Sequence, residues 1–203
     1  MRARYARRVA RPTPAVLVTI VPSGDDREAL LAAVASAAAV DVAAVRAGRV
    51  CPHCGSTDHG RPWATAAGRA VPVSTARTGG ATALAVVRGT AVTDVALGVD
   101  LEQVARVAAA PLDAFGPAER RRLGGDADRA AAWAVKEAVL KQDGRGLRVD
   151  PTAVAVDLER SVARFAGRVQ AVTVLWPAPG TVLAVAAGGL PVEVEDRVTP
   201  PVG

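Results

Sequence analysis

Short apolar runs alternate with polar turns along most of the chain. The segment AVLVTIV at residues 15–21 is apolar, rich in β-branched residues and followed by Pro22-Ser23-Gly24, which predicts a strand and a turn. Similar runs predict further strands at residues 70–74, 81–88, 92–101, 153–158, 168–175 and 181–187. Segments rich in Ala and Leu predict helices at residues 26–40, 111–123 and 128–143, the first capped by Asp25 and the last ended by Gly144.

The order of these elements predicts an α+β fold. The segment TALAV at residues 82–86 returns as TVLAV at residues 181–185, as a duplicated α+β unit would give. We therefore divide the chain into a basic flexible arm, an N-terminal α+β half, a C-terminal α+β half with the candidate metal and lysine residues, and a tail: residues 1–13, 14–97, 98–195 and 196–203.

Composition and charge narrow the class of protein. Half of the 203 residues are hydrophobic, which is enough to form a core. The formal charge of +5 favours an anionic partner, such as nucleic acid, a phosphorylated ligand or an acidic protein. The sequence shows no apolar run of membrane-spanning length, no secretory signal, and too few cysteines for a disulfide framework. We expect a soluble, cytoplasmic protein.

Residues 95–102 alternate between large apolar side chains on one face and small or acidic side chains on the other. Asp100 and Glu102 project from one face of the predicted strand, with α-carbons about 6.6 Å apart. Two like charges on one face repel each other unless a cation lies between them. Gly98 on the same face leaves room for an approaching group. A solvated strand edge is the alternative interpretation.

The helix predicted at residues 128–143 carries the complementary chemistry. Glu137 lies on a stripe of small and apolar residues that includes Trp133, where an unpaired carboxylate is expensive. Lys141, one turn later, can pair with it. Both lysines of the chain, Lys136 and Lys141, occur on this helix, whereas arginine fills every other basic position. The use of lysine rather than arginine on this helix indicates that a compact ammonium group is needed there. Three carboxylates with two ammonium groups are typical of a Mg²⁺ site for a phosphorylated substrate.

Two motifs together resemble a known family. The segment GVDLE (98–102), followed by WAVKEAVLKQDGRGL (133–147), resembles the signature pair of the 4′-phosphopantetheinyl transferase superfamily. The segments CPHCGSTDHGRP (51–62) and VSTARTGGATALAV (73–86) resemble the loop and strand that precede this pair in the surfactin-type, pseudo-dimeric branch. The resemblance implies two similar α+β subdomains related by a pseudo-two-fold axis, with the active site in the cleft between them.

The resemblance also implies roles for individual residues. Asp100, Glu102 and Glu137 would bind Mg²⁺ together with the pyrophosphate of coenzyme A. Glu137 would act, directly or through water, as the base for a serine of the carrier protein. Lys141 would stabilise or protonate the departing adenosine 3′,5′-bisphosphate, and Lys136 would hold phosphate oxygens. The expected enzyme is a monomeric holo-[acyl-carrier-protein] synthase that modifies an acidic acyl or peptidyl carrier protein and binds neither nucleic acid nor membrane.

The chain departs from the family pattern at the expected coenzyme A contacts. Ser74-Thr75 stands where the family usually has Ser-His, whose histidine contacts a coenzyme A phosphate. Thr75 can donate a hydrogen bond but carries no charge, whereas Arg61 matches the position of a basic phosphate contact. The residues expected to bind coenzyme A are Arg61, Ser74, Thr75, Lys136 and Lys141.

Other interpretations remain open. Cys51, His53, Cys54 and His59 offer zinc ligands, but they fall within nine residues and no second CxxC pair exists, so we predict a metal-free turn beside the nucleotide pocket. The three arginines at residues 120–122 form either a solvated helix end or a contact for an acidic carrier protein. Two whole-chain alternatives are a basic nucleic-acid-binding module with a zinc loop, and a catalytically inactive coenzyme A binder.

Overall fold

The structure, a computed structural model, describes residues 13–24, 26–89 and 95–198. The predicted N-terminal arm apart from Thr13, the predicted Asp25 cap, the first part of the strand predicted at residues 92–101 and the end of the predicted tail lie outside the described residues. No helix within the described ranges has the length and apolar character needed to cross a lipid bilayer. The cytoplasmic location stays a prediction.

Within its described residues, the N-terminal half combines one α-helix with six strands. Its elements are β1 (Ala15–Pro22), α1 (Asp26–Ala38), β2 (Val45–Val50), β3 (Arg61–Ala66), β4 (Arg69–Val71), β5 (Val73–Thr78) and β6 (Ala81–Arg88). Strand β6 pairs with both β1 and β5, and β3 pairs with both β2 and β4, all antiparallel. Helix α1 packs its buried Leu30 and Val34 against these strands.

The C-terminal half contains three helices and most of the remaining strands. Its elements are β7 (Gly98–Gln103), α2 (Val104–Ala109), α3 (Pro117–Arg120), α4 (Asp126–Asp143), β8 (Ala155–Asp157), β9 (Val162–Phe165), β10 (Arg168–Ala171), β11 (Thr173–Ala178) and β12 (Thr181–Ala186). Strand β12 pairs with both β11 and β7, and β9 pairs with both β8 and β10.

The strand connectivity of the first half returns in the second. The orders β5-β6-β1 and β2-β3-β4 correspond to β11-β12-β7 and β8-β9-β10, and the repeated sequence segments lie on the central strands β6 and β12. The structure is therefore mixed α+β, as expected. The pseudo-two-fold axis itself stays a prediction.

The last described strand, β13 (Val192–Asp196), lies in the sheet of the other half. It pairs in parallel with β1, from Val16 opposite Val192 to Ile20 opposite Asp196. This strand was not predicted from the sequence, and it crosses the expected boundary between the C-terminal half and the tail. Its pairing joins the end of the chain to the N-terminal sheet.

A shared hydrophobic core joins the two halves. Val16 and Val18 of β1 belong to one buried cluster with Val99 and Leu101 of β7 and Leu183 of β12. Complete burial of each such side chain contributes about 1.5–3 kcal/mol. One face of β7 is therefore fixed against the N-terminal sheet, and its other face is left for α4.

Candidate active site

Helix α4 lies directly on strand β7, and Gly98 makes this close approach possible. A Cβ atom at Gly98 would lie 1.8 Å from the carbonyl oxygen of Ala138 and 2.7 Å from the amide nitrogen of Gln142. The space at Gly98 is therefore filled by the helix backbone, and the expectation that it admits a ligand is wrong. The alternative of a solvated strand edge is wrong as well, because α4 covers the face that carries Asp100 and Glu102.

Lys141 is anchored to Asp100. Its Nζ lies 2.6 Å from Asp100 Oδ1 and donates a second hydrogen bond of 3.2 Å to the carbonyl oxygen of Val99. Asp100 is only 4% exposed, and its Oδ2 is a buried atom without a hydrogen-bond partner among the described residues. Burial raises the pKa of Asp100, and the Lys141 ammonium opposes that rise.

Glu137 has weaker compensation for its charge. The ion pair expected between Glu137 and Lys141 is loose, with 4.0 Å between Oε2 and Nζ. Burial, followed by the nearby Asp100 carboxylate, raises the pKa of Glu137 to about 7, while Lys141 lowers it and Glu102 raises it further. A carboxyl group with this pKa can accept a proton near neutral pH.

Trp133 holds the third carboxylate. Its indole Nε1 donates a 3.1 Å hydrogen bond to Glu102 Oε1. Burial and the charge of Asp100 raise the pKa of Glu102, and the Trp133 bond opposes this. The sequence analysis placed Trp133 on the inner stripe of the helix but gave it no polar role. The tryptophan itself could have indicated this contact, because a buried indole N–H requires a hydrogen-bond acceptor.

The three carboxylates form a site with too little positive charge. The ammonium of Lys141 acts on Asp100, Glu102 and Glu137, and Arg106 acts on Glu102 as well. Asp100 raises the pKa of both Glu102 and Glu137, and Glu102 raises that of Glu137. The Oδ2 of Asp100 is buried and lacks a hydrogen-bond partner among the described residues, so a cation beside it would compensate a buried polar atom. Hard cations such as Mg²⁺ prefer carboxylate oxygens, so the donor set fits a divalent cation. Among the described residues, these carboxylates do not form a group whose ligand atoms all lie within 4.8 Å of one another.

A basic pocket opens beside the carboxylates, between the two halves. It encloses about 320 Å³ and is lined by Ser74, Thr75 and five cationic side chains, namely Arg49, Arg61, Lys141, Arg145 and Arg148. None of the described residues that line it is acidic. Lys141 belongs to both regions, because it lines the pocket and contacts Asp100. This arrangement favours a ligand with several negative charges whose one end reaches the carboxylates.

The expected contacts from the N-terminal half all reach this pocket. Ser74 is buried, and its Oγ accepts a 3.0 Å hydrogen bond from the amide nitrogen of Val99, which links β5 to β7. Arg61 approaches Gly144 so closely that a Cβ there would lie 2.9 Å from its Nη1. Gly144 has φ +88°, a left-handed conformation that ends α4 and suits glycine.

Arg49 is a pocket residue that sequence reasoning missed. Its Nη2 donates a 3.0 Å hydrogen bond to Oγ1 of Thr75. Burial lowers the pKa of Arg49, as does the nearby charge of Arg77. An arginine stays protonated despite such shifts. The structure thus places a cation beside Thr75, where the family pattern has a histidine.

Lys136 requires a correction. Its side chain is fully buried on another face of α4, where Nζ lies 2.9 Å from Glu119 Oε2 and donates hydrogen bonds to the carbonyl oxygens of Pro151 and Val154. Burial lowers its pKa, and Glu119 opposes that shift. The structure therefore does not bring Lys136 to the pocket, and it cannot hold phosphate oxygens from this position. Its ammonium instead joins α4 to α3 and to the segment before β8.

The segment that carries the carboxylates also matches a family of known proteins. No curated protein gives a significant match to the chain. Residues 96–175, which include Asp100, Glu102, Glu137 and Lys141 but not the pocket residues of the N-terminal half, match the family model of the 4′-phosphopantetheinyl transferase superfamily.

Proposed function

We propose that this protein transfers the 4′-phosphopantetheine group of coenzyme A to a serine of an apo carrier protein and releases adenosine 3′,5′-bisphosphate. The observation that carries this proposal is the position of Lys141, which links a pocket with five cations to three carboxylates. The match of residues 96–175 to the transferase superfamily supports the same reaction.

The basic pocket supplies the binding chemistry that the substrate requires. Coenzyme A carries a pyrophosphate and a 3′-phosphate, and arginine binds such groups through bidentate, charge-assisted hydrogen bonds. In this proposal, Arg49 supplies the charge that Thr75 lacks, and Arg61, Arg145 and Arg148 surround the remaining phosphate oxygens. The pocket residues come from both halves, so one chain completes the site and the protein acts as a monomer.

The carboxylates supply the reaction chemistry. Glu137 accepts the proton of the carrier-protein serine, whose oxygen then forms a bond to the phosphorus next to pantetheine. The bond between that phosphorus and the bridging oxygen breaks, and the electron pair leaves with adenosine 3′,5′-bisphosphate. Lys141 stabilises the negative charge that develops on this leaving group. Asp100, Glu102 and Glu137 would hold Mg²⁺, which neutralises pyrophosphate charge when bound.

Two further features support the surfactin-type branch and an acidic carrier protein as the partner. The repeated connectivity of the two halves supports the surfactin-type branch and its pseudo-two-fold axis. Arg121 and Arg122 are exposed beyond the short helix α3 and provide positive charge for an acidic carrier protein. Arg120, in contrast, is already bonded to the carbonyl oxygen of Phe115 and to Asp113.

Mass spectrometry of candidate apo carrier proteins tests the proposal. Incubation with coenzyme A and Mg²⁺ should add one phosphopantetheine mass to the carrier protein, and omission of Mg²⁺ should abolish the transfer. A parallel titration of coenzyme A separates the alternatives. Binding without transfer to any carrier protein would favour the inactive binder, and salt-dependent binding of nucleic acid without coenzyme A binding would favour the nucleic-acid module.

A further inference from the structure

The loop between β2 and β3 brings two thiols and one imidazole together. The ligand atoms of Cys51, Cys54 and His59 all lie within 4.8 Å of one another, and Cys54 Sγ lies 3.4 Å from His59 Nε2. In a tetrahedral zinc site, Zn–S and Zn–N distances of about 2.3 and 2.0–2.1 Å place sulfur and nitrogen roughly 3.6 Å apart. The observed separation is thus close to that of two ligands on one zinc ion.

The backbone of this loop turns tightly around the first cysteine. The amide nitrogen of Gly55 donates to the carbonyl oxygen of Cys51, and the amide nitrogen of Cys51 donates to the carbonyl oxygen of Ser56, both at 2.9 Å. Gly60 has φ +104°, and a Cβ there would lie 2.4 Å from the carbonyl oxygen of Val50. Gly55 is left-handed as well, with φ +72°, so two glycines flank the segment at residues 56–59 that returns His59 to Cys54.

We propose that Cys51, Cys54 and His59 bind one Zn²⁺ ion, with a solvent molecule as the fourth ligand. Thiolate and imidazole ligands suit zinc, and a site with three protein ligands keeps one open position. A disulfide between Cys51 and Cys54 is the alternative to a zinc site. It would leave the imidazole of His59 without a role, although this imidazole lies against Cys54. This proposal replaces the sequence-based expectation of a metal-free turn, which assumed that nine residues are too cramped.

The ion would fix one wall of the basic pocket. Cys51, His53 and Gly60 line this pocket, and Arg61 follows the loop directly. Zinc bound by this loop restricts the motion of the segment that carries Arg61. The binding of zinc does not depend on the proposed transfer reaction, so each of the two proposals can fail without the other.

Metal analysis of the full chain, purified without chelators or immobilised metal, tests this site. Wild type should contain about one zinc per chain. The chain has two histidines, both in this loop, which gives a matched pair of variants. His59→Asn and Cys54→Ser should lose the ion, whereas His53→Asn should retain it, because His53 is outside the ligand cluster.

Cobalt substitution gives a readout that does not depend on activity. Co²⁺ added to the zinc-free wild type and to the His53→Asn variant should produce the thiolate charge-transfer absorption of a tetrahedral site, and His59→Asn should not. Thermal unfolding confirms that each variant is folded, and chelator should lower the melting temperature of wild type only when zinc is present. A reduced wild type that takes up neither zinc nor cobalt, or equal uptake by the folded His59→Asn variant, would overturn the proposal.

Discussion

The Nζ of Lys141 lies 2.6 Å from Asp100 Oδ1 but 4.0 Å from Glu137 Oε2, although Glu137 precedes it by one turn of the same helix. The ammonium therefore compensates mainly for the carboxylate of the strand. Glu137 is left with burial and two like charges, which raise its pKa to about 7. The arrangement separates two tasks: Lys141, paired with Asp100, lines the basic pocket, and Glu137 is left able to accept a proton.

The first prediction contrasts the two lysines of α4. Lys141→Met should reduce carrier-protein modification by at least ~100-fold, the scale of losing one electrostatic group in an active site. The KM for coenzyme A should rise as well, because Lys141 lines the pocket. Steady-state kinetics with an apo carrier protein measure both effects.

Lys136→Met provides the control on the same helix. It leaves Glu119 buried without its partner, so the free energy of unfolding should fall by about 3–5 kcal/mol. The rate per folded molecule should stay close to wild type. A folded Lys136→Met variant with unchanged stability and lost transfer would show that Lys136 does act at the site, contrary to our correction.

The second prediction concerns the contact between α4 and β7. Gly98→Ala places a methyl group 1.8 Å from the carbonyl oxygen of Ala138, so the helix must move away from the strand. We expect a loss of about 3 kcal/mol or more in the free energy of unfolding, measured in urea. Gly116→Ala is the matched control, because nothing lies within 4 Å of its added Cβ and its φ is −68°. Equal stability of the two variants would contradict this role of Gly98.

Local periodicity explains which parts of the site could be predicted. Alternation in β7 placed Asp100 and Glu102 on one face, and the stripe of α4 placed Glu137, Lys141 and Trp133 together. In the structure, Lys141 of α4 contacts Asp100 of β7, and Trp133 contacts Glu102. The position of Lys136 was ambiguous in the sequence. It lies about 100° around the helix from Glu137, and α4 is buried on more than one face, so a buried residue of this helix need not face the site. The stripe did not include Lys136, and its expected contact with phosphate rested on the occurrence of both lysines on one helix and on the family resemblance.

Long-range pairing explains what could not be predicted. Arg49 belongs to β2, a strand without a strong alternating pattern, and it reaches Thr75 through the packing of separate sheets. Strand β13 contains several acidic residues and was not predicted as a strand, yet it pairs with β1. The helix predicted at residues 111–123 is limited to Pro117–Arg120. The prediction underestimated how strongly proline and glycine shorten a helix.

The third prediction tests Arg49 as a phosphate-binding residue. Arg49→Gln removes the charge beside Thr75, so the KM for coenzyme A should rise about 10-fold or more while kcat changes little. Arg46→Gln is the control on the same strand, since Arg46 is exposed and bonds only to the carbonyl oxygens of Ala43 and Val45 among its described hydrogen bonds. Equal KM values for the two variants would exclude Arg49 from the binding site.

The pKa of Glu137 makes the protein less stable as the pH rises. The folded state raises this pKa from 4.5 to about 7, so it favours the protonated form. Between these two values, the unfolded chain has already lost the proton that the folded chain keeps. The free energy of unfolding should therefore fall as the pH rises through this range, by roughly 1–3 kcal/mol in the metal-free protein.

The fourth prediction follows for Glu137→Gln, which keeps the shape of the side chain and removes its charge. In the metal-free protein the variant should be more stable than wild type at pH 8 and similar to it at pH 5, as measured by denaturant unfolding. Its transfer rate should fall by at least ~100-fold. Excess Mg²⁺ should restore part of the rate if metal binding dominates the loss, and little if proton removal dominates. Near-wild-type carrier modification by the folded variant would refute the role of Glu137.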